Sequence, residues 1–373
     1  VDRRRTYFNG VGMQYDGGEI PFYVYQFFKK NIDDNAVYYS LNNTHNRTAA
    51  FFATGTYSYK QRYNLTGTSR YEGSNRLGKA RSARWLPTWN VSGSWNASEE
   101  PWFKNTFNNA LTHAMVRASY SLTADPGPAT YTNSTQILKS YTPYRIVGTD
   151  KESGIMTSEL ENAQLTYEKK HEFNIGSELG FLNNRILASV EFYHKVISDL
   201  LNYKPLNAYQ EVTSVMANVG KTQSTGVEVT INTKNIDTRY FKWTTDFTFT
   251  AYKDRWKERT PDWKPGVYER VDDPIRPIYS RLADHILQIG EKAPKAQPDL
   301  RPGEIVIKDI NGYKRDDKNQ PVVDENGRFV LTGEPDGIID DADNVLLGSQ
   351  DPGWLAGLTN TLRYKNFDLS IQL

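Results

Sequence analysis

The stretch from Lys169 to Lys195 constrains the fold more than any other part of the chain. In its first arm Phe173, Ile175, Leu179 and Phe181 fall on one face, and Glu172, Asn174, Gly176, Glu178 and Gly180 fall on the other, a strict period of two. The second arm repeats the pattern. Ile186, Ala188, Val190 and Phe192 alternate with Leu187, Ser189, Glu191 and Tyr193, and Leu182-Asn183-Asn184-Arg185 supplies the Asn pair that a tight turn tolerates. Such a hairpin suits a soluble sandwich with one core face and one wet face. It equally suits a membrane barrel with apolar side chains against lipid and acids and amides in a watery lumen. The hairpin alone does not choose between them.

Composition narrows the choice. Forty-five Lys and Arg balance 44 Asp and Glu, so no electrostatic pull toward nucleic acid is expected. The chain carries 24 Tyr and 8 Trp, yet its mean hydropathy is only -0.67. Many amphipathic rings in a polar average suit β-structure, and an outer-membrane barrel above all, because half of every strand faces water. There is no cysteine, which removes disulfides, thiolate metal sites and cysteine nucleophiles. No run of about 18 apolar residues is present, so no membrane-spanning helix is expected. Val1-Asp2-Arg3-Arg4-Arg5 lacks the apolar segment of a signal peptide.

Along the chain, Val1 to Leu41 is ragged, with Ile20 to Phe28 as its best strand. From Ala49 the alternation is sharp: Phe51, Ala53, Gly55, Tyr57 and Tyr59 share a face, and a second arm follows Gln61-Arg62 with Tyr63, Leu65, Gly67, Ser69 and Tyr71. Trp85, Trp89, Val91, Gly93 and Trp95 mark a third strand whose Trp residues sit near its ends, where a membrane strand carries interfacial rings. Ser98-Glu99-Glu100-Pro101-Trp102-Phe103 reads as a helix start. Further strands are expected at His113 to Leu122, Val227 to Thr233, Trp243 to Ala251, Leu355 to Tyr364 and Phe367 to Leu373. The segments 123–166, 202–224 and 254–352 read as long loops.

Loop lengths decide the architecture. From Gln61-Arg62 onward the connections run short, long, intermediate, long, short, long, short, very long, short. Alternate turns of an up-and-down antiparallel sheet lie on the same side, and membrane barrels have short turns at one end and long loops at the other. The expectation is therefore an all-β, antiparallel transmembrane barrel fold in a bacterial outer membrane, in contact with its lipid.

Several stretches then resemble one family: Tyr57-Ser58-Tyr59-Lys60 to Tyr71-Glu72-Gly73-Ser74; Trp85-Leu86-Pro87 with Ser98-Glu99-Glu100; Tyr167 to Gly176; Asn218-Val219-Gly220 with Ser224-Thr225-Gly226-Val227-Glu228; Asp336 to Asp343; and Tyr364 to Leu369. In order and spacing they are similar to the later barrel portion of SusC-type TonB-dependent transporters of Bacteroidetes, from about Asn46 onward. The resemblance implies a plugged barrel of about 22 strands, a SusD-like lipoprotein lid, energy from TonB-ExbB-ExbD through an N-terminal part, and import of glycan or peptide oligomers. Residues 1–373 would form part of one such barrel domain; a TonB box and a plug are not seen in the sequence. A soluble or surface β-rich carbohydrate-binding module and a glycosidase-like enzyme are the alternatives.

In the barrel frame Arg70, Arg117, Glu172, Glu178, Glu191, Glu228 and Asp246 face the lumen, to grip a plug or line a polar route. The loop aromatics Trp256, Trp263, Tyr268 and Tyr279 are candidates to stack on sugars or pack on a partner. Asp309-Ile310-Asn311-Gly312 and Asp336-Gly337-Ile338-Ile339-Asp340-Asp341-Ala342-Asp343, with the 23 residues from Tyr313 to Pro335 removed, give D-x-N-x-D-G-x-I-x-x-x-D. That is calcium-loop spacing, with Asp309, Asn311, Asp336, the Ile338 carbonyl and Asp343 as ligands. Either calcium or an empty calcium-loop fold is expected there. No enzyme is expected: the five His are scattered, and Glu99-Glu100 and Asp340-Asp341 are adjacent as in turns and caps.

Overall fold

The computed structural model describes residues 2–9, 39–107, 110–127, 136–141, 154–207, 212–261, 263, 269–325 and 329–373. Ten strands form one antiparallel sheet in which every strand pairs with its neighbour in sequence: β1 (Thr48–Tyr59), β2 (Tyr63–Ser74), β3 (Trp85–Asn96), β4 (Leu111–Asp125), β5 (Glu168–Phe181), β6 (Ile186–Ser198), β7 (Lys221–Asp237), β8 (Phe241–Glu258), β9 (Trp354–Tyr364) and β10 (Phe367–Gln372). This is the up-and-down order that the loop lengths predict. The ladder pairs the eight inner strands on both sides, which is the condition for a sheet in lipid, while β1 and β10 are the two edges of the sheet among the described residues.

The turn end is built from left-handed residues. Lys60 and Gln61 have φ of 51 and 57, and the Arg62 N–H donates to the Tyr59 carbonyl at 3.0 Å. Leu182, Asn183 and Asn184 are all left-handed, so the Asn pair does what the sequence predicts. Between β3 and β4 the helix Pro101–Phe107 tucks Phe103 against Ala97 and Ala114, with Leu111 and Leu179 beside them. Glu100 ties this end together, accepting from Tyr63 Oη at 2.6 Å and from Arg62 at 3.1 Å.

The loop end is more structured than the sequence predicts. The segment read as a patternless loop over 123–166 begins after β4, which runs to Asp125, and it contains a paired Ile137–Tyr141 and Gly154–Glu159. Leu201–Pro205 pairs with Ser214–Asn218. The third loop starts only after Glu258 and holds two small sheets, Pro277–Ser280 with Val345–Ser349 and Ala283–Ile286 with Ile305–Ile307. Asp2–Asn9 pairs with Tyr39–Asn46, where the sequence shows no clear period; the strand expected at Ile20 to Phe28 lies outside the described residues. Such pairs of short strands carry too few alternations to stand out from turns.

These loops lock onto one another. Leu77, Ala83, Leu165, Tyr167 and Met216 are each buried. The Gly78 N–H donates to Leu165 O at 2.8 Å, and a Cβ at Gly78 would lie 2.1 Å from the Ala163 carbonyl oxygen, so only glycine fits. Asn218 accepts from Thr166 N and donates to Thr166 O, both at 2.8 Å. Asn162 in turn donates to Met216 O at 2.8 Å. The Asn218-Val219-Gly220 motif is thus a clamp between two long connections.

Candidate functional site

Period-two alternation becomes two continuous surfaces once the register is known. One lateral row runs Tyr57, Leu65, Gly93, Ala118, Ile175, Phe192, Val227, Ala251, Trp354 across nine strands, each residue opposite the next. It is apolar or glycine throughout, and its large members are mostly exposed, Leu65 at 55% and Trp354 at 65%. A contiguous exposed apolar band of this width is what a lipid-facing surface presents. One residue along, the opposite face runs Ser58, Asn64, Ser94, Arg117, Gly176, Glu191, Glu228, Thr250.

All seven charged residues expected to share a face do so, by strand parity from these pairings. Their grouping is uneven. Arg117 donates to Glu178 at 2.9 Å and also to Glu191, reaching past Gly176, where a Cβ would lie 3.3 Å from Arg117 Nε. Glu178 and Glu191 share the Arg117 guanidinium, and Glu228 stands opposite Glu191 in register without an ion pair to a described residue, so the patch holds one carboxylate more than its guanidinium engages. Like charges directly opposite on adjacent strands repel, and this patch is therefore set to receive a cation. Arg70 pairs with Glu72 at 2.6 Å, Glu172 with Lys170 at 2.7 Å, and Asp246 accepts from Asn232 at 2.6 Å; these lie apart from the Arg117 group.

The candidate aromatics divide differently from the expectation. Trp256 lies in β8, not in a loop. The Arg259 guanidinium sits 5.0 Å from the Trp256 ring and 4.8 Å from that of Trp263, so one cation occupies a face of each. Tyr279 donates its hydroxyl to the buried carboxylate of Asp273, and burial pushes its phenol well above the usual range. Tyr268 lies outside the described residues.

The two halves of the Asp-rich motif do meet. Residues 313–325 and 329–331 are joined by bridges from Tyr313 to Leu331, Arg315 to Pro321 and Val323 to Phe329, and Thr332 N donates to Gly312 O at 2.9 Å. Asp309 accepts from Asp336 N at 3.1 Å and Gly337 N at 2.7 Å, Asn311 accepts from Gly333 N at 2.7 Å, and Asp336 accepts from Ile338 N at 2.9 Å. Asp343 is fully buried and accepts from Ile310 N at 2.9 Å, Asn311 N at 3.3 Å and Asp340 N at 3.0 Å. Among the described residues no group of three or more His, Cys, Asp or Glu is arranged to hold a metal ion. Backbone N–H groups do the joining in this geometry.

One loop feature escaped the sequence reading. His285 bridges Asp284 at 3.0 Å and Glu291 at 2.8 Å, and Glu291 also accepts from Gln288 N at 2.8 Å. The hydrogen bonds to Asp284 and then Glu291 raise the imidazole above its ordinary 6.5. A raised folded-state value means that the bridge is fully present below 6.5, down to where Asp284 and Glu291 take up protons, and is lost as pH rises through the raised value. Amide exchange at Gln288 and Glu291, corrected for intrinsic base catalysis, should therefore speed up as pH climbs past 6.5. A flat profile would show that the imidazole charge holds nothing there. Only an Asp-His pair in the sequence hinted at this site; Glu291 arrives through the turn.

Comparison with known proteins agrees with this geometry. A family model described as TonB dependent receptor-like, beta-barrel, matches residues 3–278. TonB-dependent receptor P3 of Formosa agariphila is 28% identical over 356 residues, covering 92% of this chain and 33% of that protein. TonB-dependent receptor SusC of Bacteroides thetaiotaomicron is 26% identical over 341 residues, 88% of this chain and 31% of that one. The structure of the RagAB peptide transporter superposes with a TM-score of 0.65 at 18% identity, over 90% of this chain and 34% of that chain, which is a likeness of fold. The chain spans about a third of the length of the curated relatives it matches.

Proposed function

Because the chain belongs to the TonB dependent receptor-like β-barrel family, we propose that it serves active import across the bacterial outer membrane, as the later barrel part of a SusC-like transporter. The lateral apolar row across nine strands carries this reading, since it gives the sheet a lipid side and leaves the charged side to the lumen. The cargo is an oligomer of sugar or amino-acid units, too large for diffusion through a narrow pore. The interlocked long loops form the recognition end, with a SusD-like lipoprotein as lid. TonB-ExbB-ExbD supplies energy through a plug domain, and the excess carboxylates around Arg117 hold basic side chains of that plug, Glu228 foremost. The chemistry is gated passage without bond-making. The experiment is uptake of labelled oligosaccharides and peptides by cells with and without the gene. Uptake that needs both the gene and the inner-membrane proton gradient supports import; equal uptake in the deletion strain refutes it.

Calcium remains the proposed occupant of the 309–343 loop on its spacing, with Asp309, Asn311, Asp336, Asp343 and the Ile338 carbonyl as its ligands. Binding to the folded form alone raises stability. Heat unfolding in calcium is therefore expected at a higher temperature than in chelator. Coincident curves would mean that the N–H donors hold the loop by themselves.

A further inference from the structure

Two lateral rows on the lumen face, next to the loop end, make a pocket that the carboxylate patch does not include. Lys195, Ser224 and Asp254 lie opposite one another across β6, β7 and β8, and so do Tyr193, Gly226 and Tyr252, two residues along. All of these except Gly226 line a cavity of about 340 Å³, together with Ile275 of the third long loop. A Cβ on Gly226 would lie 2.5 Å from Cζ of Tyr193, so the Tyr193 ring occupies the space that a side chain on β7 would otherwise take. The bare backbone at Gly226 lets an aromatic platform lie across the sheet. Lys195 and Asp254 stand two strand spacings apart, about 10 Å. Neither makes an ion pair with a described residue.

We propose that this pocket is a binding site for a neutral sugar ring, with Tyr193 as its stacking platform and Lys195 and Asp254 as its two polar ends. Lys195 only donates and Asp254 only accepts; Glu172, opposite Lys195 on β5, is held by Lys170 at 2.7 Å, and Glu228 adds a negative charge next along from Gly226 on β7, so the site disfavours anions while offering a neutral ring both a donor and an acceptor. A hydroxyl does both. A ring bearing several hydroxyls satisfies the ammonium at one end and the carboxylate at the other, while its C–H face covers the Tyr193 ring, with Ser224 and Tyr252 reaching the hydroxyls between. The proposal rests on the import reading and names the cargo class at one position in the lumen.

The complete protein, isolated in detergent from its own membrane, is titrated by calorimetry with neutral hexasaccharides of α- and β-linked glucose, galactose, mannose and xylose. Hexaalanine and hexaserine are the peptide probes. At least one hexasaccharide is expected to bind, with affinity reduced tenfold or more in Tyr193→Ala and in Asp254→Asn and less than threefold in Tyr193→Phe, which keeps the platform. Folding of each variant is checked by heat-modifiable mobility in gels. Unchanged sugar affinity in folded Tyr193→Ala and Asp254→Asn overturns the site, as does binding of the peptides alone or of no hexasaccharide at all. Uptake of the same sugar by cells separates the two readings. Intact uptake with unaffected binding in the variants removes the pocket and leaves import standing; binding lost in the variants without uptake by the parent keeps the pocket and removes import.

Discussion

The substitution Ile175→Arg is expected to destabilise the folded protein by about 2–4 kcal/mol in a bilayer, the cost of a guanidinium on the lipid face near mid-membrane. Ile175 lies in the middle of β5 with Ala118 and Phe192 opposite on either side, and it is 41% exposed. No described residue of that row offers a carboxylate, so the charge must snorkel or draw water inward. Ser189→Arg serves as its control. Ser189 is on the other face, register-opposite Glu178, and an added guanidinium there meets a carboxylate and water. It should cost less than about 1 kcal/mol. Both are read from urea unfolding of protein refolded into lipid vesicles. Equal costs for the two positions would mean that the sheet has no lipid side, and the apolar row would then have to be a core covered by another layer.

Asp343→Ala is expected to release the loop between Asp309 and Asn344. The Asp343 carboxylate is fully buried and answers three backbone N–H groups from two separate segments, Ile310 and Asn311 on one side and Asp340 on the other. Truncation leaves those donors buried without partners, at about 3 kcal/mol or more in local stability. Asp343→Asn should lose about half as much, because its amide oxygen still accepts from Ile310 while its NH2 meets the Asp340 N–H donor. Amide exchange at Ile310, Asn311 and Asp340 measures both. Protection that survives in Asp343→Ala would show that the bridges from Tyr313 to Leu331, Arg315 to Pro321 and Val323 to Phe329 hold the loop without the carboxylate. The sheet itself should keep its protection in either variant, since the loop residues that hydrogen-bond to β8 through the backbone are Asp273 and Gly353, outside residues 309–344.

The ten sheet strands were legible because each one carries its own two-sided pattern over many residues. Glu172 to Phe181 shows its faces without any knowledge of neighbours, and so do the seven charged residues that share one face. The small strands at the loop end were not legible. Leu201–Pro205 and Ser214–Asn218 are five residues each, and they are ordered by contacts such as Asn218 with Thr166 that join segments far apart in the chain. Trp256 was misplaced for a related reason: β8 continues beyond its clear alternation, held by β7 through a register shift near Lys221 and Thr222. The Asp-rich motif was legible as a spacing. That its carboxylates would be engaged by N–H donors was not.

What the sequence by itself determined is therefore local and periodic: strand positions, the two faces, turn chemistry, the alternation of short and long connections, and through these the barrel class. What only the tertiary structure decided is lateral. Register placed Glu228 beside Glu191, set Tyr193 over Gly226 and left Lys195 and Asp254 on either side of Ser224. A period of two tells which side of the sheet a residue takes, but a strand shifted by two residues keeps the same faces and changes every neighbour. Sites on a sheet are made of neighbours across strands, and those are chosen by the summed pairing and packing of all the strands at once.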